Sequence, residues 1–367
     1  MPESVSAMTA LRTISMADAI REGLTEAAKR DPSVIFFAEG VADPAAVYGT
    51  LKGIGKVVGD ARMIEMPVAE AGLCGVAIGA ALSGKRPVIS FHRVEFALLA
   101  MEQIVNNAAK TTYISGGRHK VPIVLRLVVG RGWGQGPEHS QSLETMFSYF
   151  PGLKVVMPTY PADTKGMVVA AVEDDNPVIL IEHRWCHYVQ GQVPEGYYRE
   201  PLDGPRTIRA GKDVTVVATS YMVLEAMRAA QALAELGVEV EVIDLRVLRP
   251  MNLAPVLASV RRTKHLLTVD TGFKTLGIGS EVVAEVTAKC FSDLKAAPQR
   301  IGLPDHPLPS SRGLIRGLYP DSIRIMRTIS EMLKLPAERE AKAEAELEAR
   351  RGNLPIDVPD PFFKGPF

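Results

Sequence analysis

Glu70 is a lone carboxylate in an otherwise small and apolar run, MPVAEAGLCGVAIGAALSG. A carboxyl opening a buried helix loses hydration, so its pKa is expected to rise and its neutral form becomes available at neutral pH. A protonated acid there can donate a hydrogen bond to a ring nitrogen. The plainer reading is a helix-start acid facing the N-terminal amides, and this segment alone favours it. His139 stands in GRGWGQGPEHSQSLETMF, where glycines let the backbone approach a ligand and the imidazole can give or take a proton. For a single loop histidine, a hydrogen bond to backbone is the plainer alternative. The run is neither GxxxxGK[ST] nor a good dinucleotide fingerprint. Phe96 and Glu102, on a helix expected after the strand at 87–91, carry no signal alone. His183 and His187 in EHRWCHY have i, i+4 spacing but follow a strand and lack HExxH, so no metal site is expected there. Cys74, Cys186 and Cys290 form no CxxC and have no patterned histidine partner.

Alternating helices and short apolar strands must position these residues. A helix starts near Met16 and leads to the run 34–37; the segment 70–84 reads as a buried helix before the strand 87–91. A helix over 96–112, strands at 122–129 and 154–158, a helix at 163–174 and a strand at 177–182 follow. Such strands between helices indicate a doubly wound, mainly parallel sheet covered on both faces. Polar residues, Gly and Pro break the rhythm over 183–206. A second α/β series then runs through strands at 213–220, 238–245 and 265–270, with helices at 222–236, near 252–262 and at 320–334. The expected division is a first domain over 1–190 with an N-terminal arm, a linker over 191–206, a second domain over 207–335 and a charged tail over 336–367. The stretch AEREAKAEAELEARRG lacks an apolar stripe and has little core to join, although Phe362, Phe363 and Phe367 make the end too apolar for a purely solvated arm.

With 367 residues, two domains can each bury a core. Forty-two basic residues balance forty-two acidic ones, which leaves no electrostatic reason to expect nucleic acid or an anionic membrane as partner. Few, scattered cysteines, no apolar run long enough to span a bilayer and no signal-peptide pattern in residues 1–14 point to a soluble cytoplasmic protein.

Taken together, one family comes into view. The runs MADAIREGL, AEGVAD, MPVAEAGLCGVAIGAALSGKRPV, EFALLAMEQIVNNAAK, SGGRHKVPIVLR, GPEHSQSLETMF, PGLKVVMPTYPADTKGMV and EDDNPVILIEHR resemble the beta subunit of pyruvate and branched-chain 2-oxo acid dehydrogenases. DVTVVATSYMVLEAM, VEVEVIDLRVLRPMN and LLTVDTGFKTLGIGSEV resemble that subunit's transketolase-type C-terminal domain, so the likeness spans roughly residues 15–334 in matching order. The resemblance implies thiamine diphosphate and a pyrimidine-binding first domain. Glu70 takes the place of the glutamate facing the aminopyrimidine 1′ nitrogen, which promotes the ylid that attacks a 2-oxo acid. Phe96 takes an aromatic position against the pyrimidine, His139 the histidine serving the intermediate or the acyl acceptor, and Glu39 an acid near the cofactor pocket. A potassium site, made mainly of backbone carbonyls, is implied at Val121, Ile123, Val124, Ala171, Asp174 and Asn176.

The family's GDG segment with its downstream Asn, which holds magnesium and the diphosphate, is not in this chain; Gly59-Asp60-Ala61 stands in another context. The resemblance therefore implies half a site, completed by an alpha subunit in a two-alpha, two-beta assembly, with a lipoyl-bearing acyltransferase as an acyl acceptor. HRVEF stands where the family has FNFS- or FADY-like residues, GRGWGQG differs from its glycine loop, and the tail beyond 335 is extra. The alternatives are a split transketolase-like subunit transferring ketol or acyl groups, a non-catalytic scaffold and, last, a dinucleotide-binding Rossmann protein, which lacks a good glycine fingerprint.

Overall fold

The computed structural model describes residues 10–41, 47–130, 134–359, 361 and 363. Residues 1–9, Arg131, Gly132 and Trp133 of the glycine-rich loop, Phe362 and Phe367 lie outside them. The strands, in chain order, are β1 (Leu11–Ser15), β2 (Val34–Ala38), β3 (Met63–Glu65), β4 (Arg86–Phe91), β5 (Val124–Val129), β6 (Lys154–Val156) and β7 (Val178–His183). They continue as β8 (Gln190–Pro194), β9 (Arg206–Arg209), β10 (Val214–Ala218), β11 (Val240–Asp244), β12 (Val247–Arg249), β13 (Leu266–Phe273) and β14 (Gln299–Leu303). The larger sheet runs β12-β6-β7-β5-β4-β2-β3 and the smaller β14-β13-β10-β11-β9. All pairings within the two sheets are parallel except those of the edge strands β12 and β9. β4, β5 and β7 are almost wholly buried along their length, which is why they read as continuous apolar runs.

Local chemistry sets the helices. Ser15 caps the helix Met16–Arg30 by accepting from the Asp18 amide, and this helix packs along Pro161–Glu173. Asp321 caps Ser322–Leu333 in the same way.

The structure corrects the sequence reading in four places. The expected helix over 96–112 is a 3₁₀ turn at Phe96–Ala100, a π-helical stretch at Gln103–Ala108 and an α-helical end at Ala109–Ile114; such widened turns often mark functional sites. The polar segment after β7 is not bare linker, because β8 zips antiparallel onto β1 and ties the N-terminal arm down. Residues 247–249, from the second α/β series, pair with β6 at the edge of the first sheet, so the two units share a ladder. The charged helix Ala337–Arg351 does join the core: Ala343 and Leu347 are buried where it packs on Tyr221–Ala234 and Ser322–Leu333. Beyond it, Phe363 stands edge-on to Trp185 and Tyr188, with ring centroids at 6.1 and 5.6 Å.

Among the described residues, no helix is long and apolar enough to cross a membrane.

Candidate active site

In an open parallel sheet, ligands sit in the crevice beyond the carboxyl ends of the strands. Here Glu39 follows β2, Glu70 follows β3, His92 to Phe96 follow β4, and the loop carrying His139 follows β5. The four residues singled out for chemistry thus come from four segments to one edge of the same sheet.

Glu70 is the first residue of the helix Glu70–Leu82 and is buried. Its charge reaches Glu39: burial, first, and then the Glu70 and Glu65 carboxylates push the Glu39 carboxyl above the ordinary range, against the pull of His92. Glu65 in turn accepts the Gly40 amide at 2.6 Å. The turn after β4 and the loop after β5 bring two rings together. The Phe96 ring, 38% exposed, lies 5.6 Å from the His139 ring with a 56° tilt. Tyr48 stands behind His92 and donates to its carbonyl at 3.0 Å.

The loop bearing His139 is held from both sides. Glu95 accepts the Gln141 amide at 3.0 Å, and Ser142 links Glu144 (2.6 Å) with Thr271 of the second domain (2.8 Å). Gly136 has φ +65°, and a Cβ there would stand 2.3 Å from Ser310 Oγ, so only glycine lets the loop pass. Nδ1 of His139 and Nε2 of His92 are buried without a hydrogen-bond partner. Orphaned buried polar atoms facing a crevice are the usual mark of a missing ligand or water.

Other candidates fall away. His187 donates to or accepts from Glu182 at 3.1 Å, while His183 accepts the Trp185 amide and stacks on Tyr221 at 5.2 Å. All three cysteines are buried, and burial pushes the Cys74 thiol up to about 12, which makes it inert. Glu102 accepts bonds from Gln103 and Asn107 on its own helix.

The carbonyl cluster implied for potassium lies at the opposite, amino end of β5 and β7. Val121 accepts the Ile123 amide and Ile123 the Val178 amide, each at 2.9 Å; Ala171 accepts the Asp174 amide at 3.3 Å. Val124 opens β5 itself. Arg86 donates to the Asp174 carbonyl at 3.0 Å, Lys154 pairs with the Asp174 carboxylate, and Asn176 donates to that carboxylate through backbone and side chain. Each carbonyl keeps a second lone pair, while Arg86 and Lys154 already bring positive charge to Asp174; the cluster stands away from the crevice.

The crevice residues fit one face of a flat, nitrogen-bearing ring: an acid, an aromatic wall and unpaired imidazole nitrogens. They do not fit a metal-bound diphosphate. No group of three or more His, Cys, Asp or Glu placed to hold a metal ion exists among the described residues, and Gly59-Asp60 simply leads a 3₁₀ turn into β3.

Sequence reasoning missed Tyr48, Arg93, Glu95 and the Ser142–Thr271 tie. Only Arg93 and Glu95 left a trace, as unexpected charges in HRVEF.

Fold and crevice define a transketolase-type protein: residues 12–186 match the family "Transketolase, pyrimidine binding domain" and residues 205–323 the family "Transketolase, C-terminal domain". A solved structure described as a split-gene transketolase, inactive beta4 tetramer, shares the fold, with a TM-score of 0.70 and 24% identity over 88% of this chain and 99% of that one. The chain is 37% identical over 333 residues to the beta subunit of acetoin:2,6-dichlorophenolindophenol oxidoreductase of Cupriavidus necator, covering 88% of this chain and 98% of that protein. It is 37% identical over 331 residues to the mitochondrial pyruvate dehydrogenase E1 beta subunit of Caenorhabditis elegans (89% and 94% covered) and 36% identical over 327 residues to the human one (88% and 91%). The chain belongs to the family of beta subunits of thiamine-diphosphate-dependent 2-oxo acid and acetoin dehydrogenases.

Proposed function

We propose that this chain is the beta subunit of a thiamine-diphosphate-dependent 2-oxo acid dehydrogenase component, supplying the pyrimidine side of a site that an alpha subunit completes. The observation carrying this reading is Glu70, a buried acid that opens an apolar helix within electrostatic reach of Glu39, at the same sheet end as the Phe96–His139 pair. Thiamine diphosphate, when bound, supplies the carbon nucleophile and the electron sink for decarboxylation. Glu70 would hold a proton at the pyrimidine ring nitrogen. Phe96 offers the ring a flat apolar face, and Glu39 steadies the same edge. His139, with one imidazole nitrogen unpaired, is placed to hand a proton to the reacting acyl group or its acceptor.

An alpha subunit carrying GDG would hold magnesium and the diphosphate, and a second beta subunit would complete the assembly. The outer face of the Glu70–Leu82 helix supports both contacts: Gly72, Val76, Gly79 and Leu82 are exposed, a small, apolar strip that a partner can approach closely. The same reading keeps 1–190 as the pyrimidine-binding unit, 191–206 as connector, 207–335 as the C-terminal unit and 336–367 as an added tail. It places potassium in the Ile123–Asp174 carbonyl cluster, a lipoyl-bearing acyltransferase downstream and the assembly in the cytoplasm.

The test is co-purification with GDG-bearing alpha subunits, followed by decarboxylation assays with thiamine diphosphate and magnesium over a panel of 2-oxo acids. Activity only in the mixture is expected. Glu70→Gln should leave assembly intact and lower turnover about 100-fold or more, the scale of a lost general acid–base group. Substantial retained turnover would remove Glu70 from its role. A complex that binds the cofactor yet decarboxylates nothing would point to ketol transfer instead.

A further inference from the structure

The turn after β4 reads His92-Arg93-Val94-Glu95-Phe96, and it puts a buried guanidinium two residues before the aromatic wall. Arg93 is 5% exposed and Glu95 9% exposed. Nη2 of Arg93 donates to the Gly130 carbonyl at 2.7 Å, at the point where β5 gives way to the His139 loop. Nε stands 3.6 Å from Glu95 Oε2, beyond hydrogen-bond reach. Nε and Nη1 of Arg93 and Oε2 of Glu95 are all buried without hydrogen-bond partners. Two arginine donors are therefore dry and unused, which is costly unless something else takes them up.

The position of that guanidinium is fixed by its neighbours. Glu95 is the residue that ties Gln141 and lies within electrostatic reach of His139, and Phe96 touches the His139 ring. Nη1 carries two N–H groups and Nη2 keeps one beyond its bond to Gly130, so the end of the guanidinium can take both oxygens of a carboxylate.

We propose that Arg93 selects the substrate by binding a second, distal carboxylate, so that the preferred 2-oxo acid is a dicarboxylic one. This rests on the thiamine-diphosphate reading of the site. The scissile carboxylate is the poorer partner for Arg93. Its charge disappears as carbon dioxide leaves, and a clamp that holds it in the ground state but not in the transition state raises the barrier. A distal carboxylate keeps its charge throughout, so the clamp contributes to binding without opposing the chemistry.

The experiment compares kcat/KM for 2-oxoglutarate and 2-oxoadipate with chain-matched 2-oxopentanoate and 2-oxohexanoate, using the complex with its alpha subunit, thiamine diphosphate, magnesium and a dye acceptor. A dicarboxylate preference of at least about tenfold is expected, falling about 100-fold in Arg93→Met, the scale at which a site built for a polar group discriminates. Arg93→Lys, which keeps the charge but loses the fork, should fall between the two. Calorimetry with glutarate, which has no 2-oxo group, provides a readout free of turnover: saturable binding to the wild-type complex, lost in Arg93→Met. A preference for monocarboxylates, a ratio unchanged by either substitution, or glutarate binding unaffected by them overturns the proposal. If no 2-oxo acid is decarboxylated while glutarate binding still depends on Arg93, the decarboxylase reading fails and the carboxylate site stands.

Discussion

Two buried arginine–glutamate pairs lie in the same domain, and they differ in completeness. Arg126 and Glu182, on neighbouring strands β5 and β7, bond through Nε to Oε1 at 2.6 Å and through Nη2 to Oε2 at 2.9 Å. Ser90 and Thr50 take two more guanidinium N–H groups, so every guanidinium nitrogen has a partner, and His187 meets the second carboxylate oxygen. Burial would raise the Glu182 carboxyl, but Arg126 and His187 outweigh it and hold the group down to about 2. Arg93 and Glu95 make no mutual hydrogen bond. Burial wins there, and the Glu95 carboxyl is raised despite Arg93 and His139. A saturated pair fixes strands to one another; the unsaturated pair is the one the proposed carboxylate site would draw on.

The largest effect should come from breaking the saturated pair. Glu182→Gln leaves Arg126 as an uncompensated buried charge, and a loss of about 3–5 kcal/mol in urea unfolding is expected. Because the Glu182 pKa is depressed on folding, its stabilisation is complete above the unfolded value near 4.5 and disappears as pH falls towards 2. Arg93→Met should cost less, about 1–3 kcal/mol, since Glu95 can take up a proton once Arg93 is gone. Equal losses in the two variants would erase the distinction and make Arg93 scaffolding.

The sequence exposed the sheet more readily than the turn after β4. Glu70 drew attention as an acid in a small, apolar run and His139 as a histidine in a glycine-rich one, although for each the residues alone favoured the plainer reading. Arg93 and Glu95 look like ordinary turn charges until the fold buries them; burial of a turn depends on what packs over it, here the Gly130 and Gln141 backbone from a distant segment. β12 was hidden for a similar reason: three residues carry no period, and their partner β6 lies about ninety positions earlier by residue numbers. The helix Ala337–Arg351 reads as polar all round because two small or apolar contacts, Ala343 and Leu347, suffice against a surface already built by other helices.

A third buried group tests whether saturation without a cation also makes scaffold. Glu144 and Asp270 are both fully enclosed where the His139 loop meets the second domain. Ser142 and Thr271 donate to Glu144, and the Gly279 amide donates to Asp270 at 3.0 and 3.1 Å. Burial, and then the Glu144 charge, raise Asp270 to about 7 from an ordinary value of 3.8. The folded chain therefore holds a proton that the unfolded chain releases, and stability through this acid is full below about pH 4 and declines as pH rises to about 7. Asp270→Asn keeps an acceptor for Gly279 and removes the charge. It should flatten that decline and leave the variant more stable than the wild type at pH 8 by at least the equivalent of one pKa unit, about 1.4 kcal/mol. Melting temperatures from pH 4.5 to 8 check it. An unchanged slope would mean that Asp270 stays ionised across the range, and the tie between the His139 loop and the second domain would then need a counter-charge that Arg300, a cation acting on it, would have to supply.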